Sequence, residues 1–325
     1  MVACLVTGGA GFIGSHLTEA LAARGHLVRV LDDLSTGRRE NLAAVADRVE
    51  LLVGSVTDPD AVAAAVKEVQ WVFHLAALPS VQRSVEAPEP THEACASGTL
   101  QVLSAARRAG VRRLVYAASS SAYGDTPGTV RKEDDPVSPL SPYAAAKLAG
   151  EHYCRAFTMT YGLETVRLRF FNVFGPRQNP FSPYSGVIPL FIAAMSAGRP
   201  PAINGDGRQS RDFTYVENAV QAVLKAAEAP AAAGKVYNVG NGGTVSVLDL
   251  VAQLNELLGS RLQPTHRPPR PGDVRHSQAD ISRARRDLGY EPTVSFAEGL
   301  RRTLDAFRAE QRSAARKAPP SPAPR

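Results

Sequence analysis

The sequence predicts an α/β protein in which a doubly wound parallel sheet is followed by a smaller mixed α/β lobe. Over the first half of the chain, short β-branched runs alternate with Ala-rich amphipathic segments, which is typical of βαβ units. After about Asn172 this alternation weakens, and Pro, Gly and Arg become frequent. The length of 325 residues is sufficient for one large domain and a smaller lobe.

The predicted strands are short apolar runs bounded by glycine or polar residues. They cover residues 2–8, 26–32, 49–54, 69–77, 111–121 and 163–171. The predicted covering helices, which have apolar positions at helical spacing, cover residues 15–24, 59–68, 98–109 and 143–161. We therefore divide the chain into a first domain at 1–171, a second lobe at 172–310 and a basic, Pro-rich, disordered tail at 311–325, with a return to the sheet near 236–240.

Charge and composition exclude several classes of protein. Residues 301–325 hold seven basic residues against two acidic ones, which accounts for five of the six net positive charges. The rest of the chain is nearly neutral, so we expect no nucleic-acid partner. No apolar run approaches the ~18 residues of a membrane span, and no charged-then-apolar leader opens the chain. Cys4, Cys95 and Cys154 show neither disulfide nor metal-ligand spacing, so we expect a cytoplasmic protein without a metal site.

A glycine-rich turn after the first strand predicts a dinucleotide site. Gly8, Gly11 and Gly14 form a G-x-x-G-x-x-G run that opens the first helix, where backbone N–H groups can meet a pyrophosphate. Asp32 ends the second strand roughly 20 residues later, where a carboxylate can bind both ribose hydroxyls of an adenosine and would repel a 2′-phosphate. NAD is therefore predicted over NADP. The arginine pair at 38–39 could instead be taken to favour NADP, but we interpret these two residues as surface charge.

A tyrosine and a lysine lie one helical turn apart in the segment SPYAAAKLAGEHY. At this spacing the Lys147 ammonium can lower the pKa of the Tyr143 phenol, which could then act as a base near neutral pH. The alternative interpretation, without a catalytic role, is a surface Tyr–Lys pair, which is common on helices. The preceding strand, however, ends in the hydroxyl run Ser119, Ser120 and Ser121, at the edge where doubly wound sheets bind ligands. A serine there can share a proton with the tyrosine and a substrate.

With these residues in place, the chain resembles the nucleotide-sugar epimerases and dehydratases of the extended short-chain dehydrogenase/reductases. The resemblance spans residues 2–308 and is carried by TGGAGFIG, LDDLSTG, HLAALPSV, SSSAYGD, SPYAAAK, RFFNVFGPRQNP, NGDGRQSRDFTYV and RPGDVRHSQAD. It implies a Rossmann sheet that holds NAD tightly through every cycle. It also implies a homodimer formed through the helices at 98–109 and 143–161.

The resemblance implies a catalytic set of Ser119, Tyr143 and Lys147. Tyr143 would take the proton from the 4-hydroxyl of a UDP-hexose while hydride passes from C4 to the nicotinamide. The 4-keto sugar would then turn within the site, and hydride would return to its other face.

The resemblance also implies the residues of two binding sites. Those of the cofactor site are Gly8, Gly11, Phe12, Ile13, Gly14, Asp32, Asp33, Leu34, Ser35, Thr36, Gly37, Ser55, Val56, Leu75, Ala76, Ala77, Tyr143, Lys147 and Phe170. Those of the substrate site are Ser80, Ser119, Ser120, Ser121, Tyr143, Asn172, Val187, Phe191, Asn204, Arg211, Arg270, Asp273 and Ser277. Arg211 and Arg270 match the pair that clamps the nucleotide pyrophosphate, and Asp273 matches a residue at the uridine ribose. Asn172 matches a residue that also holds the sugar-nucleotide. The positions that line the sugar and uracil pockets match Ser80, Val187 and Phe191.

Three positions depart from the family's pattern. Ser55 stands where an aspartate that binds adenine is usual, and Pro79 replaces a Gly or Lys beside the cofactor. Cys95 stands where an asparagine usually precedes Gly-Thr. None of the three removes a catalytic group.

The hydroxyl run favours epimerisation over elimination. Dehydrating relatives carry Thr-Asp-Glu in place of residues 119–121, because elimination across C5–C6 needs its own acid and base, and decarboxylating relatives keep a Glu at the position of Ser121. We therefore predict a 4-epimerase that interconverts UDP-N-acetylglucosamine with UDP-N-acetylgalactosamine, and also UDP-glucose with UDP-galactose. Ser277 matches a position that borders the C2 substituent of the hexose, and its small side chain admits an N-acetyl group.

Three alternatives stay open from the sequence. Glucuronate 4-epimerases commonly have Thr and Arg where this chain has Asn172 and Asn179, yet Arg177 and Arg208 could meet a carboxylate. A net oxidoreductase or 4-ketoreductase would need exchangeable NADP, against which Asp32 argues. The third alternative is a non-catalytic sugar-nucleotide sensor, against which the intact set of Ser119, Tyr143 and Lys147 argues.

Overall fold

The computed structural model of the chain describes residues 1–180, 182, 185–269 and 274–317. Its strands are β1 (Ala3–Thr7), β2 (Leu27–Asp32), β3 (Val49–Val53), β4 (Trp71–His74), β5 (Arg113–Ser119), β6 (Val130–Arg131), β7 (Glu164–Phe170), β8 (Val173–Phe174), β9 (Ala202–Asn204), β10 (Ser210–Arg211), β11 (Thr214–Tyr215), β12 (Val236–Val239), β13 (Val245–Ser246), β14 (Thr265–Arg267) and β15 (His276–Ala279). Its helices are α1 (Phe12–Ala23), α2 (Pro59–Ala65), α3 (Val81–Glu86), α4 (Pro88–His92), α5 (Gly98–Arg108), α6 (Pro142–Tyr161), α7 (Val187–Ser196), α8 (Val216–Glu228), α9 (Val247–Leu258), α10 (Ser282–Leu288) and α11 (Phe296–Lys317). A π-helical segment, Glu93–Ser97, joins α4 to α5.

Seven parallel strands form the main sheet in the order β12-β7-β5-β4-β1-β2-β3. The order reverses at β1, because β2 and β3 continue on one side of it whereas β4, β5 and β7 continue on the other. Helices cover both faces, with α1 and α8 on one and α2, α5 and α6 on the other. The predicted doubly wound Rossmann sheet is confirmed. Ligands of such sheets bind at the carboxyl edge, beside the reversal.

The ends of α6 follow from its flanking residues. Ser141 caps the N-terminus by accepting a hydrogen bond from the Ala144 N–H at 3.2 Å, and Pro142 occupies the first turn, where no N–H partner is needed. Gly162, at φ +73°, ends the helix in the left-handed conformation. The exposed face of α6 carries Tyr153 and Met159, which are 39% and 77% exposed. A homodimer through α5 and α6 stays a prediction.

The second lobe is built on a small mixed sheet of the order β13-β10-β15-β6. In sequence, β6 lies between β5 and α6, whereas β12 is an edge strand of the main sheet, so each part of the chain contributes a strand to the other. Among the described residues no helix combines the length and the apolar character that crossing a membrane requires.

The last helix differs from the expected disordered tail at 311–325. α11 continues to Lys317, because Leu300, Leu304 and Phe307 bury one face of it and the first helix-breaking proline comes only at Pro319. Residues 318–325 lie outside the described ranges.

A buried ion pair ties α6 to the strand behind it. The Arg169 guanidinium on β7 donates to both carboxylate oxygens of Glu151 on α6, with Nε 3.0 Å from Oε2, and both side chains are buried. The guanidinium also stacks over the Tyr123 ring at 4.6 Å and donates to the Glu133 carbonyl. Tyr123 in turn donates to Asn238 on β12 at 2.7 Å. These contacts fix the helix that carries the predicted catalytic pair.

Glu151→Gln would leave the Arg169 charge buried without a carboxylate. We expect it to lower the free energy of unfolding by about 3–5 kcal/mol, measured by urea denaturation beside the parent protein. Glu228→Gln is the control, because it breaks an exposed pair with Arg24 and should change the stability little. Equal losses in the two variants would contradict the role of the buried pair.

Candidate active site

A cleft of about 2350 Å³ opens along the carboxyl edge of the main sheet. It runs from the turn between β1 and α1, past the ends of β2, β4 and β5, to α7, β9 and β15 of the second lobe. A pocket for one drug-sized ligand usually measures roughly 300–1,000 Å³. The cleft therefore has room for two ligands side by side.

All the predicted site residues that the structure describes line this cleft. The predicted cofactor residues lie mainly at the β1–β2 end, and most of the substrate residues lie toward the second lobe. Ser119, Tyr143 and Lys147 lie between the two sets. Arg270 and Asp273 fall outside the described residues. The individual roles of these residues stay predictions.

The turn before α1 is shaped to hold an anion. Gly8 has φ +70°, and a Cβ on Gly14 would lie 2.0 Å from the Gly8 carbonyl oxygen, so this crossing excludes side chains. Gly11 is the N-cap residue of α1 and provides no side-chain cap, and the first turn holds no acidic residue. The N–H groups of that turn can therefore meet a pyrophosphate.

Asp32 ends β2 beside this turn. Its carboxylate accepts hydrogen bonds from the Ala10 and Leu34 N–H groups, each at 2.9 Å. Burial raises the pKa of Asp32, and these hydrogen bonds oppose the rise. The remaining lone pairs suit the ribose hydroxyls of an adenosine, so the residues present fit NAD. Both arginines at 38–39 are exposed, although Arg38 also lines the cleft.

The predicted catalytic side chains meet where the two ends of the cleft join. Ser119 ends β5 and hydrogen-bonds Ser121, with 2.8 Å between the two serine oxygens, and Tyr143 lies beside Ser119. Burial raises the pKa of Tyr143 above its ordinary value, whereas the neighbouring Ser119 hydroxyl acts to lower it. Burial lowers the pKa of Lys147. Desolvation thus acts against the charged form of each member of the pair.

The expected lowering of the Tyr143 pKa by Lys147 is not found. The influences on Tyr143 are burial, Cys95 and Ser119, and Lys147 is not among them. The Lys147 ammonium lies 4.7 Å from the centre of the Tyr116 ring. The two side chains are one turn apart on α6, as predicted, but Tyr143 contacts Ser119 whereas Lys147 packs against β5.

At the second-lobe end, a guanidinium lies beside a small side chain. Arg211 on β10 and Ser277 on β15 are register partners on neighbouring parallel strands, and both line the cleft. Two backbone carbonyls accept hydrogen bonds from the Arg211 guanidinium at 2.9 and 3.1 Å. Asn172, at φ +33°, donates to the Asp212 carbonyl at 3.2 Å. The other predicted residues at this end are Val187 and Phe191 on α7 and Asn204 on β9.

Asp212 directly follows Arg211 in the chain, but its role was not predicted from the sequence. Its buried carboxylate accepts hydrogen bonds from the N–H groups of Asn241, Gly242 and Ala279 at 2.7, 3.0 and 3.1 Å. Burial raises the pKa of Asp212 to about 6, and these hydrogen bonds oppose the rise. The carboxylate fastens the loop after β12 and the end of β15 to β10. Its only signal in the sequence is its place in the run RDFT.

One wall of the cleft, formed by α3 and the segment before α6, was also not predicted from the sequence. Val81, Val85 and Leu140 line the cleft although 49%, 66% and 53% of their surfaces are exposed. Arg83 lines it as well and is half-buried. Apolar residues at a cleft wall follow the same sequence pattern as core residues, so nothing in the sequence distinguishes them.

In the part of the chain that the structure describes, no group of three or more His, Cys, Asp or Glu side chains could hold a metal ion. Cys4, Cys95 and Cys154 are all free and buried. Burial raises the pKa of Cys4 and that of Cys154 to about 12, so neither thiol is a thiolate at neutral pH.

Comparison with known proteins identifies the family. Residues 4–240 match the model of the NAD dependent epimerase/dehydratase family. The chain is 42% identical over 308 residues to the UDP-glucose 4-epimerase of Mycolicibacterium smegmatis, covering 94% of this chain and 98% of that protein. The chain therefore belongs to the NAD-dependent epimerase/dehydratase family, and its cofactor is NAD.

Two solved structures are similar over nearly the whole chain. One is the UDP-N-acetylglucosamine 4-epimerase of Methanobrevibacter ruminantium in complex with UDP-N-acetylmuramic acid, at 38% identity and a TM-score of 0.91. The other is the UDP-glucose 4-epimerase of Thermotoga maritima with UDP-glucose, at 37% identity and a TM-score of 0.91. Each match covers 95% of this chain and 99% of the other.

The purified protein should carry NAD, which denaturation would release for assay. We expect Gly14→Ala to carry little, because its Cβ would lie 2.0 Å from the Gly8 carbonyl oxygen and would open the turn. Gly243→Ala is the control, since a Cβ there meets no atom within 4 Å. Release of mainly NADP, or equal NAD content in both variants, would contradict the assignment of this turn.

Proposed function

We propose that the protein is a 4-epimerase of UDP-hexoses. It would interconvert UDP-N-acetylglucosamine with UDP-N-acetylgalactosamine, and also UDP-glucose with UDP-galactose, through a transient 4-keto sugar. One observation carries the proposal: Ser119, Tyr143 and Lys147 line a single cleft between the glycine turn and the Arg211 guanidinium. The 4-epimerase names of similar proteins support it.

In this proposal, Tyr143 moves the proton of the sugar 4-hydroxyl. Its phenol lies beside the Ser119 hydroxyl, which can orient the sugar hydroxyl. Lys147, one turn away, supplies a buried positive charge, whose effect is strong in low-dielectric surroundings. NAD, held by the glycine turn and Asp32, would supply the hydride chemistry at C4. Arg211 holds the nucleotide pyrophosphate, so the nucleotide stays in place while the sugar turns.

The wall after β5 supports epimerisation without elimination. Elimination needs an acid and a base of its own, and residues 119–121 offer three hydroxyls and no carboxyl group. Ser120 and Ser121 both line the cleft, so they lie where such groups would act. These three side chains therefore offer no acid and base for elimination.

The surroundings of two arginines support a neutral sugar over a glucuronate. The Arg177 guanidinium donates to Glu19 at 2.6 Å and to Ser15 at 3.1 Å, so its charge is already compensated. Arg208 is exposed and does not line the cleft. Neither arginine offers a ready partner for a carboxylate at C6.

The test is to incubate the purified protein with several UDP-sugars, without added cofactor, and to follow inversion at C4 by proton NMR. Tyr143→Phe removes one hydroxyl, so we expect kcat to fall by at least ~10² while the sugar-nucleotide still binds. Tyr153→Phe, on the exposed face of the same helix, is the matched control and should keep full activity. An absolute need for added cofactor in each cycle, or near-normal turnover of Tyr143→Phe, would contradict the mechanism.

Sugar size is tested at Ser277, the register partner of Arg211. We expect Ser277→Tyr to lose activity on the N-acetylated UDP-sugars selectively, because a phenol ring would fill the space beside C2. Ser277→Ala keeps a small side chain and should retain both activities. Equal loss on both sugar classes in Ser277→Tyr, or a parent enzyme inactive on N-acetylated sugars, would end this hypothesis.

A further inference from the structure

A row of buried polar side chains crosses the middle of the main sheet behind α6. Thr7 on β1, His74 on β4 and Tyr116 on β5 are register partners on adjacent parallel strands, so their side chains share one face at one level. All three are fully buried. Polar groups in such a position destabilise a fold unless each has a hydrogen-bond partner.

Hydrogen bonds join this row into one directed chain. The Ala76 N–H donates to Thr7 Oγ1 at 3.3 Å, and Thr7 Oγ1 lies 2.7 Å from His74 Nδ1. His74 Nε2 lies 2.9 Å from Thr99 Oγ1, which donates its one proton to the Cys95 carbonyl at 2.6 Å. Thr99 can therefore only accept from His74, so Nε2 carries the proton and Nδ1 accepts from Thr7.

Burial keeps this imidazole neutral. Desolvation, with a smaller contribution from the Lys147 charge, lowers the pKa of His74 to about 3. A proton on both ring nitrogens would place a second cation near Lys147 in the interior of the sheet. His74 therefore acts as a neutral donor on one side and a neutral acceptor on the other.

Both ends of the chain of hydrogen bonds lie in the machinery of the reaction. Ala76 belongs to the loop after β4 that lines the cofactor end of the cleft, and Thr7 directly precedes the glycine turn. Cys95 lies in the π-helical segment Glu93–Ser97 and packs in one apolar cluster with Tyr143. The chain thus spans from the cofactor loop to the segment behind the predicted base.

Tyr116 extends the row to α6. Its hydroxyl donates to the Lys147 carbonyl at 3.1 Å, and its ring lies 5.7 Å from the His74 ring between centroids. Gly150 permits this approach, because a Cβ there would lie 2.4 Å from the Tyr116 hydroxyl oxygen. The row therefore contacts α6, the helix that carries Tyr143 and Lys147, directly.

We propose that His74 is a positioning residue: as the neutral Nε2–H tautomer, it ties the cofactor loop to the π-helical segment and so sets the separation of bound NAD from Tyr143. Loss of the Thr7 bond or of the Thr99 bond leaves one ring nitrogen without a partner, so that the imidazole no longer connects the two segments. The effects of breaking the two bonds should therefore overlap. The inference goes beyond the proposed function, and only its turnover readout rests on that function.

Thr7→Val and Thr99→Val each remove one hydroxyl at nearly constant shape, and the double variant removes both. We expect each single variant to release NAD from the holoenzyme roughly tenfold faster and to lose roughly tenfold in kcat, with the KM for the UDP-sugar unchanged. The double variant should be no worse than the worse single variant. Losses that multiply in the double variant would overturn the proposal, because independent sites behave additively in free energy.

Conservative variants separate positioning from simple loss of packing. Thr7→Ser and Thr99→Ser keep the hydroxyls and should restore both readouts. Thr165→Val is the matched control, since Thr165 is also buried on a strand and donates to a helix carbonyl, that of Cys154, at 2.8 Å. It should lower the melting temperature without changing NAD release. NAD release from Thr165→Val as fast as from Thr7→Val would contradict the special role of the row.

The tautomer itself is read from ¹⁵N NMR of the histidine rings in the holoenzyme, with His74→Gln assigning the signal. We expect a neutral ring protonated at Nε2. An Nδ1–H tautomer or an imidazolium would overturn the proposal. Neither this spectrum nor NAD release needs turnover of a UDP-sugar, so failure of the proposed function stays distinguishable from failure of this inference.

Discussion

The seven strands of the main sheet all run in one direction, and the position of the site depends on this alignment. Parallel strands bring their carboxyl ends to one edge, and the reversal at β1 leaves that edge open between helices on opposite faces. Gly8, Asp32 and Ser119 come at or directly after the ends of three different strands, yet all line one cleft. Reversing any one of these strands would carry its residue to the opposite edge.

Burial then decides the electrostatics along α6. Two turns of this helix carry Tyr143 and Lys147, and the next turn carries Glu151, whose charge is compensated by Arg169. Lys147 has different surroundings, because its ammonium lies 4.7 Å from the centre of the Tyr116 ring. One helix therefore carries a compensated ion pair and, one turn away, a buried cation beside an aromatic ring.

The second lobe is joined to the sheet by exchanged strands and by the Asp212 carboxylate. Asp212 binds three N–H groups from two separate segments, and this fixes β10 against β15. The neighbouring residues Arg211 and Ser277 face the cleft from those two strands. Arg211 and Ser277 thus lie on different elements from Tyr143 and Lys147, so the lining of the cleft at the second lobe can vary while α6 stays unchanged.

The sequence determined those features whose signals are local. Alternating runs predicted the sheet, and the glycine spacing with Asp32 predicted the cofactor turn. The four-residue spacing placed Tyr143 and Lys147 on one helix. Each of these follows from backbone geometry over one turn or one strand.

Only the tertiary structure decided the rest. Thr7 and His74 are 67 residues apart in sequence and meet only through the register of β1 with β4. Local spacing also suggested that Lys147 lowers the pKa of Tyr143, whereas burial raises it. Composition predicted disorder from residue 311, but α11 continues to Lys317 because its face is already anchored to the core. Spacing is a property of neighbouring residues, whereas register and desolvation depend on contacts that form only when distant segments pack together.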